Sequence, residues 1–124
     1  MNEALRHVKR ELEECGLTTY IVKGVNDEIV AFKYEVPTGR YKGKTVDIGL
    51  SMQEVNYPEY PPHWIHVTPK IEDRRGAPGK EFTDASGRKW VAFSRPPSDF
   101  WDNEPTKHMS VYLQDHLRRF WRYA

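Results

Sequence analysis

The stretch Thr38–Val67, TGRYKGKTVDIGLSMQEVNYPEYPPHWIHV, decides the fold. Gly39 and Gly43 bracket a tight reversal, and Thr45, Val46, Asp47, Ile48, Gly49 and Leu50 then alternate with the two-residue period of a half-buried strand. A second short strand is expected from Trp64 to Val67. Between them Pro58, Pro61 and Pro62 remove three backbone donors and bias Tyr57 and Tyr60 toward extended geometry. Neither a helix nor a central strand can run through such a knot, so it predicts a fixed corner joining two strands.

Working outward toward the N-terminus, Thr18–Val22 and Ile29–Val36 are rich in β-branched and aromatic residues, and Gly24, Asn26 and Asp27 between them have the composition of a hairpin turn. Ahead of them Leu5, Val8, Leu12 and Cys15 recur at helical spacing among charged residues, with Asn2 placed to cap the helix and Gly16 to end it. Cys15 falls on this apolar stripe and is expected to be a small buried hydrophobe, because free cysteine is usually buried and no His or acid partner is apparent near it. One helix followed by four consecutive strands with short turns predicts an α+β fold, an antiparallel meander with a helix on one face. Helical crossovers for a parallel sheet do not fit between these strands.

Toward the C-terminus, residues 70–89 lose all periodicity and are rich in Gly, Pro and charge, which predicts a long functional or mobile loop. Trp90–Phe93 is a short apolar run that re-enters the fold. The segment SRPPSDFWDNEP (94–105) predicts a second proline corner anchored by Phe100 and Trp101. A last helix, expected from Pro105 or Thr106, carries Met109, Tyr112 or Leu113, Leu117, Phe120 and Trp121 on the face that packs on the sheet. Arg118, Arg119 and Arg122 then sit where cations oppose the negative end of the helix dipole.

With 124 residues the chain has room for one domain and one core, so residues 1–124 are expected to form a single unit. Four Trp, seven Tyr and five Phe argue for a packed interior despite a mean hydropathy of −0.80. A net charge of +1 supplies no field that would recruit nucleic acid or a membrane surface. One cysteine cannot close an internal disulfide or furnish a zinc site, which fits a reducing compartment. The charged start MNEALRHVKRELEE has no apolar signal core, so the expected location is the cytoplasm.

The order of elements and motifs resembles the ubiquitin-conjugating enzyme (UBC-like) superfamily. The residues that carry the resemblance are Gly39, Tyr41 and Gly43, then Tyr57, Pro58, Pro61 and Pro62, then Val67, Thr68 and Pro69, with Ser86-Gly87-Arg88 and Trp101 further on. It covers most of the chain from Leu5 to Trp121, and the stretch GRKWVAFSRPPSDFW is most similar to prokaryotic members. The resemblance implies a UBC-like fold and, as partners, a ubiquitin-like protein, an activating enzyme or a catalytic conjugating enzyme, met through Tyr57, Pro58, Tyr60, Pro61, Pro62 and Trp101. No cofactor is implied. Bacterial systems of this kind carry the further family-level expectation of antiphage defence.

Family chemistry needs a thiolate, because sulfur is both nucleophilic near neutral pH and a good leaving group to a lysine amine. Counting three residues on from Gly87 places that position at Trp90, and counting eight back from Trp101 places it at Phe93. Neither is cysteine. Phe82, Thr83 and Asp84 stand where the family's oxyanion-supporting Asn segment would be. The resemblance is therefore closest to conjugating-enzyme variants that keep the fold as a binding surface. An active divergent enzyme, using Cys15 or with its nucleophile replaced in this sequence, and an unrelated peptide-binding or scaffold module are the alternatives. His108 at the start of the last helix is expected to cap it or to lie at the surface, with a chemical role near the former catalytic corner as the alternative. His63 and His66, three apart on a strand, point to opposite faces and lack a third ligand, so no metal site is expected. Ser94 and Ser98 lack a Gly-x-Ser-x-Gly elbow and are taken as turn residues. Arg74, Arg75, Arg88 and Lys89 give the long loop a solvated basic surface.

Overall fold

A computed structural model describes the backbone of residues 1–124 and every side chain except that of Ser98. Helix α1 (Glu3–Glu14) starts as the sequence predicts, with Asn2 Oδ1 accepting the Leu5 N–H at 2.8 Å. It ends at Cys15, and Gly16 follows with φ +89°, a left-handed conformation that favours glycine.

The sheet has six strands instead of the expected four: β1 (Thr19–Lys23), β2 (Glu28–Glu35), β3 (Thr45–Ser51), β4 (Trp64–Thr68), β5 (Lys80–Thr83) and β6 (Lys89–Ser94). Their order is β1-β2-β3-β4-β6-β5, with every neighbouring pair antiparallel. The α+β class and the four-strand meander stand, but a hairpin inside the expected loop extends the sheet. Residues 70–89 hide a strand because only four residues pair, and three of those four side chains face water. Trp90–Phe93 is likewise the heart of a strand. The loop that remains, residues 69–79, is pinned: the buried Asp73 carboxylate accepts from Arg95 Nε at 3.1 Å and Arg75 Nε at 3.3 Å. Arg95 also donates to the carbonyls of Arg75 and Ala77.

Strand register places two unbroken apolar rows on one face, Phe32–Ile48–Val67–Val91 and Val30–Leu50–Ile65–Phe93. A slip of one residue would turn every one of these to the other face, so burial fixes the register. Leu5, Val8 and Leu12 of α1 and Met109, Tyr112, Leu117, Phe120 and Trp121 join this core. Each fully buried side chain of this size contributes roughly 1.5–3 kcal/mol by leaving water.

The second proline corner contains a helix, α2 (Ser98–Asn103). The terminal helix begins at Met109, later than the expected Pro105 or Thr106, because His108 is its cap: Nδ1 accepts the Ser110 N–H at 3.0 Å. It runs as α3 (Met109–Val111), a π-helical stretch (Tyr112–Leu117) and α4 (Arg118–Tyr123). Its end meets the β2–β3 reversal at Gly39, where φ is +82° and a Cβ would collide with the Trp121 carbonyl oxygen. Among the described residues, no helix is long and apolar enough to cross a membrane.

Candidate functional site

The β5–β6 hairpin occupies the segment in which the resemblance places a catalytic cysteine. Trp90 and Phe93 point to opposite faces of β6, as their odd separation requires. Phe93 joins the helix-covered core against Phe120, with ring centroids 5.7 Å apart. Trp90 is fully buried on the other face in a small cluster with Val22, Ile29 and Ala31. Its ring lies nearly parallel to Phe82 at 6.3 Å, and the Arg88 guanidinium stands 5.0 Å from its centroid.

Asp84 in the hairpin turn fixes this arrangement. Its carboxylate accepts the Trp90 indole N–H at 2.9 Å, the Ser86 hydroxyl at 2.6 Å, and the backbone N–H groups of Ser86 and Arg88 at 2.9 and 3.0 Å. Bonds from Ser86 and Trp90 hold the carboxyl down at about 2. Ser86-Gly87-Arg88 is thus a real turn, with Gly87 at φ +91°. The neighbouring Arg88 reaches across the sheet to Asp47 at 3.0 Å and donates to the Tyr20 hydroxyl at 3.0 Å.

His108 caps the start of the terminal helix, as one of its expected roles had it. Its Nε2 is 3.1 Å from Glu14 Oε1 at the end of α1, where α3 packs on α1.

Cys15 is also corrected, since it is exposed and not buried. It falls one residue past the last helical position, where the chain turns away from the stripe that carries Leu5, Val8 and Leu12. Partial burial and then the carboxylates of Glu11 and Glu14 push its thiol pKa up. Reactive thiols have the opposite surroundings, a cation or helix N-terminus that stabilises thiolate.

The proline corner divides into a locked interior and a solvent edge. The Tyr57–Pro58 and Thr68–Pro69 peptide bonds are cis. Trp101 from α2 is fully buried and donates its indole N–H to the Pro58 carbonyl at 2.7 Å. Tyr57 stacks obliquely on Trp101 at 6.0 Å and donates its hydroxyl to Glu11 of α1. Pro62 is buried, Pro61 half-buried and Tyr60 exposed. Of the six residues expected at this surface, the buried Tyr57, Pro62 and Trp101 hold the corner together, whereas Pro58, whose carbonyl Trp101 bonds, Tyr60 and Pro61 reach the outside.

Glu11 is the connecting residue that sequence inspection missed. Nearly buried, it accepts from the Tyr57 hydroxyl, from the Met109 N–H at 3.0 Å and from His7 Nε2 at 2.8 Å. The signal was its place three residues after Val8, on the buried stripe of α1, where a carboxylate must find partners. Burial and the Glu11 carboxylate push the Tyr57 phenol far above its ordinary value, so it donates at any physiological pH. Above this interior lies a groove of about 490 Å³ between α1 and the proline corner, edged by His7, Arg10, Val55 and Glu59. Val55 is 71% exposed and Tyr60 43% exposed, so the corner's outer edge carries large apolar groups in water.

Among the described residues no group of three or more His, Cys, Asp or Glu is placed to hold a metal ion. His66 is buried on the open face of the sheet. His63 precedes β4 and lies 2.6 Å from the Ser94 hydroxyl.

No curated protein and no solved structure matches the chain. The model of one protein family, described as prokaryotic E2 family E, matches residues 5–117, from the first turn of α1 to the end of the π-helical stretch, and the chain belongs to that family.

Proposed function

We propose that the protein is a non-catalytic E2-like subunit of a bacterial ubiquitin-like conjugation system, binding a ubiquitin-like protein, its activating enzyme or a catalytic conjugating partner. The observation that carries this is the burial of Trp90. At the two positions the resemblance offers for the thiolate stand Trp90, an indole with no solvent contact bonded to Asp84 inside a hairpin paired with β4, and Phe93, buried in the helix-covered core. Thioester transfer needs an accessible sulfur there, and the β5–β6 hairpin fills that space with packed rings. Cys15 is the sole sulfur nucleophile of the sequence, and its acidic neighbours disfavour the thiolate.

The partner surface in this proposal is the groove between α1 and the proline corner. Val55 in the groove and Tyr60 beside it supply exposed apolar anchors, Arg10 and His7 a polar rim, and the buried Tyr57, Pro62 and Trp101 the rigid base that keeps the anchors in place. A preorganised base lowers the ordering cost of association. As the family implies, we extend the proposal to the bacterial cytoplasm and to antiphage defence.

Two measurements test it. In a pull-down with the products of neighbouring genes, the natural chain captures a ubiquitin-like protein or pathway enzyme, and Tyr60→Ala with Val55→Ser reduces capture about tenfold without changing the unfolding midpoint. Incubation with activating enzyme, ATP and the ubiquitin-like protein leaves the chain unmodified. A reductant-sensitive adduct that disappears in Cys15→Ala would overturn the non-catalytic assignment.

A further inference from the structure

The net charge of +1 conceals a separation of charge along the terminal helix. Residues 36–44 and 116–124 contain Arg40, Lys42, Lys44, Arg118, Arg119 and Arg122, and no Asp or Glu. The fold joins these two segments: a Cβ on Gly39 would collide with the Trp121 carbonyl oxygen and stand 3.1 Å from that of Arg122. All six cations are exposed, and among the described residues none of them is in an ion pair.

Two tyrosines hold part of this cluster in place. Arg40 stands 4.9 Å and Lys44 5.9 Å from the Tyr41 ring centroid, and Arg75 stands 5.0 Å and Arg119 6.0 Å from that of Tyr123. Tyr41 itself packs edge-on against Trp121 at 5.8 Å. Arg118, Arg119 and Arg122 are three and four apart, so they share one helix face. Glu72, 3.8 Å from Arg74, and Asp115, one turn earlier on the helix, are too few to neutralise the cluster. The other end of the same helix is acidic. Its first turn meets Glu11 and Glu14, and Asp102 and Glu104 precede it in the chain. The two ends lie on the order of 20 Å apart at the ordinary helical rise.

We infer that the basic end is a docking surface for a short, extended, carboxylate-rich segment of a partner protein. Unpaired like charges repel one another, and an anion laid across them recovers that cost. Guanidinium forks match carboxylates in bidentate geometry. Same-side carboxylates of an extended segment recur about every 7 Å, close to the spacing of about 6 Å between helix positions four apart. Nucleic acid fits less well. Each tyrosine ring already has two cations against it, which leaves no open ring for a base, and a long phosphate backbone runs on toward the acidic end. A membrane surface needs apolar anchors, and apart from Tyr123 the exposed large hydrophobic side chains lie in other elements. This surface is separate from the groove at the proline corner, and its test needs no pathway component, so either can fail alone.

Fluorescence anisotropy with a labelled peptide of about ten residues, alternating Glu and Ser, tests the inference. The natural chain is expected to bind it saturably, to leave the Gln-Ser counterpart free, and to prefer it over a thymidine oligonucleotide of equal charge. Arg118→Gln with Arg122→Gln, and Arg40→Gln with Lys44→Gln, each weaken binding about tenfold, the worth of one charge-assisted bond. Lys80→Gln with Lys89→Gln, on the β5–β6 hairpin, leaves binding unchanged. An oligonucleotide that competes as well as the unlabelled Glu-Ser peptide makes nucleic acid the partner and overturns the inference. Equal binding of the Gln-Ser peptide, no saturable binding, or an equal loss in the hairpin variant also overturns it. The three probes are compared on the natural chain, so they decide the matter even where a variant fails to fold.

Discussion

Two buried tryptophans anchor the proline corner and the β5–β6 hairpin, and they do so differently. Trp101 donates its indole N–H to Pro58, forty-three residues earlier, and through Tyr57 and Glu11 it ties α2, the proline corner, α1 and the start of the terminal helix into one unit. Trp90 donates to Asp84, six residues earlier, within its own hairpin. Both rings are fully buried. The first is a long-range lock, whose loss releases several elements together. The second closes a local unit laid onto the edge of β4. The lock preserves a rigid outer corner, and the local unit can change without disturbing it.

The sharpest way to break this comparison is to truncate each ring. Trp101→Ala and Trp90→Ala each cost about 4 kcal/mol by cavity formation and lost burial. Their reach differs. Hydrogen exchange in Trp101→Ala is expected to accelerate in α1, α2 and the corner together, while in Trp90→Ala the increase stays within β5 and β6. If Trp90→Ala loosens α1 as much as Trp101→Ala does, the hairpin is not a local unit.

Acid probes the molecule through two histidines, one buried and one half-buried. His66 lies beneath the hairpin's Phe82, and His116 donates Nε2–H to the Arg95 carbonyl at 2.6 Å, joining the terminal helix to the residues between β6 and α2. Burial lowers each pKa from 6.5 to about 4, and for His116 the cations Arg119 and Arg75 add to it. Between these limits the unfolded chain takes up protons that the folded chain refuses. Stability is therefore full above about pH 6.5 and falls as pH drops toward 4, by on the order of 3 kcal/mol per histidine. Denaturant titrations at pH 7, 5.5 and 4.5 check this. His66→Phe and His116→Gln should each remove about half of the acid sensitivity, and a slope unchanged in both variants would refute the assignment.

Glu11→Gln tests the connection between corner and helices with a smaller effect. The amide keeps the shape but weakens charge-assisted bonds from Tyr57, His7 and the Met109 N–H, at about 2 kcal/mol. Exchange should rise at Met109 and through the corner, with the Trp90 indole unaffected.

The corner was legible because its chemistry is stiff. Three prolines in five residues and alternating strands on both sides permit few conformations, and the family match agrees with what they imply. The hairpin was illegible for the opposite reason. Lys80-Glu81-Phe82-Thr83 has one apolar residue, and its pairing with Lys89–Ala92 exists only once Trp90 has a sheet to lie on. Cys15 was misplaced because helical spacing was extended onto the C-cap, where the chain leaves the apolar stripe. Glu11 shows what a stripe of apolar residues conceals: a single acid within it marks the place where buried donors meet.

The smallest effect is the most selective test of the hairpin as a local unit. Asp84 accepts four hydrogen bonds, yet it is only half-buried, so its low pKa of about 2 reflects geometry more than stored stability. Its contribution is present above the ordinary carboxyl value of 3.8 and is lost as pH falls through about 2, below the range in which the histidines act. Asp84→Asn removes the charge but keeps one acceptor oxygen, which still serves part of the turn. The expected cost is about 1 kcal/mol. Exchange of the Trp90 indole proton should quicken, while the Trp101 indole and the amides of α1 keep their rates. Equal acceleration at both indoles would mean that the two regions unfold together, and Asp84 would then be part of the same lock as Pro58.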